Sequence, residues 1–169
     1  MKWILLITSM LFINAKDVRD QYIETYKDLA IVEMHRKGIP ASIKLAQAIL
    51  ESRSGTSDFA QSSKNHFGIK CKTYWKGQKY LHKDDDYDQD GNLMKSCFRA
   101  YDRVLDSYVD HSNFLYHSSN YTGLFLLPRD DYQSWAKGLQ KYGYATDPNY
   151  ASKLIRIIES EGLAQYDRM

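Results

Sequence analysis

The sequence predicts an α+β fold that is mostly helical and carries one small β-hairpin lobe. Three observations lead there. Apolar residues recur at helical spacing in both halves of the chain. Two short alternating stretches sit near the middle, on either side of an Asp90-Gly91 turn signal. With only 9 Gly and 3 Pro, the chain is poor in the turn residues that an all-β topology needs. Its 169 residues suffice for one domain with a sizeable core and not for two comfortable ones.

The elements follow in order. Val18, Tyr22, Tyr26, Leu29 and Met34 mark a first helix that Gly38 stops. Pro40 suits the first turn of a second helix from Ala41 to about Arg53, with Ile43, Ala46, Ile49 and Leu50 on its apolar positions and Gly55 as its stop. Asn65-His66-Phe67-Gly68 reads as a turn. Tyr74 to Leu81 and Leu93 to Ala100 read as the two strands, joined through the acidic stretch Asp84 to Asp90. Asp102 is placed to cap a helix running to about His117, and Asp130 or Asp131 to cap another through Trp135 to Lys141. Asp147-Pro148 reads as an N-cap and first helical residue, ahead of a stripe of Tyr150, Leu154, Ile157 and Ile158 that Gly162 closes.

Composition excludes several functions. Hydrophobic residues at 43% and charged residues at 26% exclude a disordered or fibrous chain. A net charge of +2, from 23 Lys+Arg against 21 Asp+Glu, leaves no electrostatic footprint for nucleic acid. There is no Gly-rich phosphate loop and no Gly-x-Ser-x-Gly elbow, and the five His show no metal-ligand spacing.

Residues Met1 to Ala15 (MKWILLITSMLFINA) have one Lys, an apolar core of roughly ten residues and a small residue at the end, the layout of a secretory signal peptide. An uncleaved membrane anchor is the alternative, although the run is short of the about 20 residues a spanning helix needs. The expectation is a signal peptide over 1–15, a single domain over 16–169, export to the periplasm, envelope or medium, and no stable membrane insertion after cleavage. In an exported chain the two cysteines, Cys71 and Cys97, suggest one disulfide, with two free buried thiols as the alternative.

Glu51 is the first candidate for chemistry. It falls in the last turn of an apolar helix, where the helix dipole and desolvation both raise a carboxyl pKa, as a general acid near neutral pH requires. The second candidate is the Asp84–Asp86 cluster, since two carboxylates facing each other across a groove cleave glycosidic bonds. A calcium loop starting at Asp86 is disfavoured, because its twelfth position is Cys97.

Four segments in order resemble the bacterial peptidoglycan glucosaminidases, glycoside hydrolase family 73, from about Ala30 to Leu163. They are Ala41 to Ser52 (ASIKLAQAILES), Asn65 to Lys70 (NHFGIK), Cys97 to Asp102 (CFRAYD) and Gly143 to Pro148 (GYATDP). The resemblance implies a lysozyme-like fold with a groove between a helical body and a β-lobe. It implies hydrolysis of the β-1,4 bond between N-acetylglucosamine and N-acetylmuramic acid, with no cofactor or metal and a peptidoglycan glycan strand as partner of a monomer. Glu51 matches the family's acid. The second carboxylate of the family lies on the hairpin, where this chain offers Asp86 or Asp85; on a regular strand only one of these looks into the groove. Tyr144 matches a tyrosine lining the cleavage site, and Asn65 and Phe67 fall in the matching substrate-binding segment. A wall-binding module of the same fold, or a lytic transglycosylase, which needs the single Glu, remain as alternatives.

Overall fold

A computed structural model of the chain describes residues 14–87, 91 and 93–169, with the backbone alone at 84–87, 93 and 94. The expected signal segment therefore lies, up to residue 13, outside the described residues. The described residues form six helices, α1 (Ala15–Lys37), α2 (Ala41–Ser52), α3 (Asp58–Ser63), α4 (Val104–His117), α5 (Tyr132–Lys141) and α6 (Tyr150–Ser160), with 3₁₀ segments at Ser119–Leu126 and Leu163–Arg168. Strands β1 (Lys79–Tyr87) and β2 (Leu93–Arg99) pair antiparallel between α3 and α4. Among the described residues no helix is long and apolar enough to cross a membrane.

The helix α2 is the axis of the domain. Every residue from Ala41 to Ile49 is buried, because α1, α6 and the C-terminal 3₁₀ segment all pack on it. Its sequence is therefore apolar nearly all round, as a central helix must be. Pro40 is its N-cap and offers no side-chain acceptor. The orphan amide there is satisfied from the far end of the chain: Ser42 donates through its backbone N–H to Asp167 Oδ1 at 2.8 Å and through its hydroxyl to Oδ2 at 2.6 Å.

Two buried polar residues of α2 also find partners. Lys44 Nζ donates to the Tyr108 carbonyl at 3.0 Å, lies 3.0 Å from His111 Nδ1, and sits 5.0 Å from the centroid of the Phe67 ring. Burial pushes this ammonium down to about 7. Gln47 donates to the Tyr150 hydroxyl at 3.0 Å.

The hairpin is fastened at both edges. The backbone of Ile69 to Cys71 runs along β2, with Arg99 N–H donating to the Ile69 carbonyl at 2.9 Å and Cys71 N–H to the Cys97 carbonyl at 2.8 Å. The Cys71–Cys97 disulfide, with Cα atoms 5.4 Å apart, locks that strap. Phe59 of α3 meets Phe98, His82 and Tyr80 with ring centroids 4.9, 5.3 and 5.8 Å away, which holds the lobe against the helical body.

Several expected boundaries move. The first strand begins and ends later than its alternation suggested, so Asp84, Asp85 and Asp86 belong to β1 and not to the connecting turn. Pairing is regular to Lys83↔Lys95 and resumes only at Tyr87↔Leu93, so three β1 residues oppose one on β2. The alternation that would choose between Asp85 and Asp86 is interrupted there. Asp102 does not cap α4; Arg103 holds the N-cap position, and Asp102 accepts from Gln78 Nε2 at 2.8 Å. Nor is Asp147 the cap of α6. It accepts from the Asn149 N–H at 2.8 Å in a turn ahead of the helix, and Pro148 precedes the first helical residue, Tyr150, by two. Asp131 does cap α5, accepting from Ser134 N–H at 3.0 Å.

Candidate active site

The last turn of α2 presents Glu51 at the junction of two cavities. One, about 590 Å³, lies between the α2–α3 connection and the hairpin and is lined by Arg53, Ser57, Asp58, Phe59, His82 and Phe98 among others. The second, about 210 Å³, is bounded by Phe67, Lys72, Phe114, Tyr121 and Tyr144. Glu51 and Gly68 line both. Gly68 adopts φ +63°, and a Cβ at that position would stand 3.9 Å from Glu51 Oε2. A side chain there would be strained by the left-handed backbone and would come into contact with that carboxylate oxygen.

The other oxygen of Glu51 is held. Tyr150 at the start of α6 donates its hydroxyl to Oε1 at 2.9 Å, and that hydroxyl accepts from Gln47. Gln47 and Glu51 are one helical turn apart, so one face of α2 supplies both ends of the relay. Desolvation raises the Glu51 carboxyl to about 7, against smaller lowering contributions from the Tyr150 hydrogen bond and from Lys153. Because the folded-state value is raised, ionising Glu51 opposes folding. Its contribution to stability is present at acid pH and is lost as the pH rises through about 7.

Tyr144 stacks near Tyr150, with centroids 5.7 Å apart, and donates its hydroxyl to the Phe67 carbonyl at 3.1 Å. Burial holds this phenol well above its ordinary value, so it remains a donor. Phe67 is buried and stacks on His111 at 4.0 Å. It forms the wall of the smaller cavity, supported from behind by Lys44.

Asn65 is fully buried. Its Oδ1 accepts from the N–H groups of Phe67 and Ile69, both at 3.2 Å, and its Nδ2 donates to the carbonyls of Ile69 and Arg99 at 3.0 and 2.9 Å. All its hydrogen-bonding capacity is directed to the loop and to β2, so it shapes the site from beneath.

The side chains of Asp85 and Asp86 lie outside the described residues. Among the described residues, Asp58 is the carboxylate that shares the larger cavity with Glu51. In the sequence nothing distinguishes Asp58, because an acidic residue after Ser57 reads as ordinary helix-start chemistry. Tyr150 and Gln47 also belong to the site; periodicity marks Tyr150 as core, and a lone Gln inside an apolar helix carries no signal of its role. Among the described residues, no group of three or more His, Cys, Asp or Glu is arranged to hold a metal ion.

Comparisons with known proteins agree with this geometry. The family description Glucosaminidase, mannosyl-glycoprotein endo-beta-N-acetylglucosaminidase, matches residues 27–163. The chain is 30% identical over 157 residues to the exo-glucosaminidase LytG of Bacillus subtilis, covering 90% of this chain and 55% of that protein. It is 30% identical over 145 residues to the peptidoglycan hydrolase FlgJ of Vibrio parahaemolyticus, covering 83% of this chain and 47% of that one. The chain thus spans about half the length of these curated relatives. The catalytic domain of the autolysin Auto from Listeria monocytogenes superposes with a TM-score of 0.74 at 29% identity, covering 88% of this chain and 87% of that domain.

Proposed function

We propose, from the premise that this chain belongs to the Glucosaminidase family, that it is an exported peptidoglycan hydrolase with Glu51 as its general acid. The observation that carries the reading is a carboxyl held near pKa 7 at the meeting point of two cavities. A glutamic acid protonated near neutrality donates to the glycosidic oxygen as the bond breaks, and the departing sugar leaves as an alcohol. The proposed bond is the β-1,4 link between N-acetylglucosamine and N-acetylmuramic acid. The names of the relatives divide between endo and exo action. Space on both sides of Glu51 supports endo cleavage, since an exo enzyme closes its groove beyond one sugar.

The second carboxylate belongs, in this reading, to the hairpin, with Asp86 ahead of Asp85. It stabilises the oxocarbenium-like transition state or activates water; a separation from Glu51 of about 5–5.5 Å suits a nucleophile and about 6.5–9.5 Å leaves room for water. Asp58 is its competitor inside the described cavity. Asn substitutions at Asp58, Asp84, Asp85 and Asp86, made singly, are expected to show one dominant loss of rate, at Asp86, without loss of thermal stability. A dominant loss at Asp58 moves the role to α3. Near-equal activity in all four favours assistance by the substrate's N-acetyl group or the single-Glu transglycosylase.

Tyr144 and Phe67 form the wall against which the substrate is positioned. The apolar leader from Met1 to Ala15 and the disulfide both support export, since oxidised cysteines persist outside the reducing cytosol. The proposed enzyme acts as a monomer.

The deciding experiment is incubation of the purified chain with peptidoglycan and mass analysis of the released fragments. Products ending in reducing N-acetylglucosamine are expected. Anhydro-muramic ends identify a transglycosylase, and binding without release identifies a wall-binding module.

The pH profile tests the acid itself. Activity is expected to fall about tenfold per pH unit above about 7, as Glu51 loses its proton. In Tyr150→Phe the carboxylate loses a hydrogen bond worth roughly 1.5–3 kcal/mol. The basic limb should therefore move to higher pH by roughly one to two units. An unmoved limb in Tyr150→Phe would show that this hydroxyl does not set the Glu51 pKa.

A further inference from the structure

We infer that a cavity beyond the catalytic groove, centred on Tyr74, is a distal sugar subsite for the same glycan strand. The inference rests on the hydrolase reading above and extends it to the length of substrate the protein grips. The cavity holds about 570 Å³ and is lined by Tyr74, Arg99, Asp110, Asn113, Phe114 and His117, with three residues of the following turn. Phe114 also lines the smaller cavity that Glu51 and Tyr144 share. Phe114 therefore adjoins both cavities, with Glu51 and Tyr144 in one and Tyr74 in the other.

The chemistry of the lining fits a hexosamine. A sugar ring presents an apolar C–H face, which an aromatic ring covers, and a rim of hydroxyl and amide groups, which planar polar side chains bind. Tyr74 supplies the ring, and its side chain is 65% exposed. One exposed tyrosine is ordinary; a fixed one is less so. Its hydroxyl accepts from Arg99 Nη2 at 3.1 Å, and the disulfide at Cys71 anchors the loop three residues earlier. The Arg99 guanidinium is buried beside it, 4.6 Å from the centroid of the Trp75 ring, and its Nη1 donates to Asp110 Oδ2 at 2.8 Å. That same oxygen accepts from the Tyr101 hydroxyl at 2.6 Å.

Two polar groups are left for a ligand. Asp110 Oδ1 has no hydrogen-bond partner among the described residues, while Oδ2 takes two donors. Asn113 uses its Oδ1 on Arg36 at 3.0 Å and keeps its amide NH₂ without a partner there. An acceptor and a donor beside an oriented ring, in a cavity that adjoins the one Glu51 lines, make a subsite for hydroxyl and N-acetyl groups.

The test compares peptide-free glycan strands fractionated by length. On the long-strand fraction, Tyr74→Ala is expected to raise KM about tenfold, the equivalent of ~1.4 kcal/mol, with kcat nearly unchanged. On the tetrasaccharide fraction, which this proposal takes to be too short to fill both cavities, kcat/KM should stay within about twofold of the parent. Tyr74→Phe keeps the ring and should match the parent on both fractions, which separates stacking from support of Arg99. Asn113→Ala gives the same selective loss without touching the loop. Equal losses on both fractions, or none on either, overturn the subsite and leave the hydrolase reading standing. Failure of the parent protein to cleave any strand overturns both.

Discussion

Glu51→Gln is expected to abolish release of wall fragments while leaving the fold intact. The amide has the shape of the acid, and Tyr150 still donates to Oε1, so the geometry persists. What is lost is the proton that the leaving oxygen needs, a loss of general acid catalysis that typically lowers rate by about 10²–10⁴-fold. Stability should hold or improve above neutral pH, because the desolvated ionisable group is gone. Fragment release by mass analysis and melting by circular dichroism check the two halves separately. A folded variant with parent turnover would remove Glu51 from the acid role.

The second large effect is structural. The double variant Cys71→Ala/Cys97→Ala opens a closure of 26 residues, worth roughly 3.5 kcal/mol in the chain-entropy description. For a domain of this size, that lowers Tm by on the order of 10 °C. Activity should fall further than melting alone predicts at temperatures where the fold survives. The strap from Ile69 to Cys71 follows directly on Phe67 and Gly68, which line the cavities beside Glu51. Reductant should add two hydrogens to the intact mass of the parent protein and reproduce the melting shift. An unchanged Tm after complete reduction and alkylation would sink this account.

The legible parts of the protein share one property: each is set by residues near in sequence. The helices α1, α2, α5 and α6 follow from spacing and from stop signals such as Gly38, which takes the left-handed C-cap at φ 79°. Asp131 caps α5 because cap and amide are three residues apart. Both strands were found, the second in place and the first displaced. Acidic residues disfavour β structure locally, and the 84–86 stretch is extended because the β2 pairings Lys83↔Lys95 and Tyr87↔Leu93 bracket it. The short helix α3 has too few turns to leave a periodic pattern.

The sequence by itself determined the helical body, the hairpin, the pair of cysteines and Glu51 as the residue to watch, because α2 carries its own apolar pattern and places that carboxyl in its last turn. Only the tertiary structure decided what surrounds it. Lys44 is fully buried, because α4 brings the Tyr108 carbonyl and His111 to its ammonium. Asn65 reads as a substrate ligand and instead satisfies four backbone groups of its own loop and β2. Tyr150 reads as core and holds the carboxylate across 99 residues of sequence. A pKa depends on desolvation and on the donors within hydrogen-bond reach, and both are properties of packing between distant segments. Which carboxyl stands in the last turn of α2 is therefore local information, and its proton affinity is not.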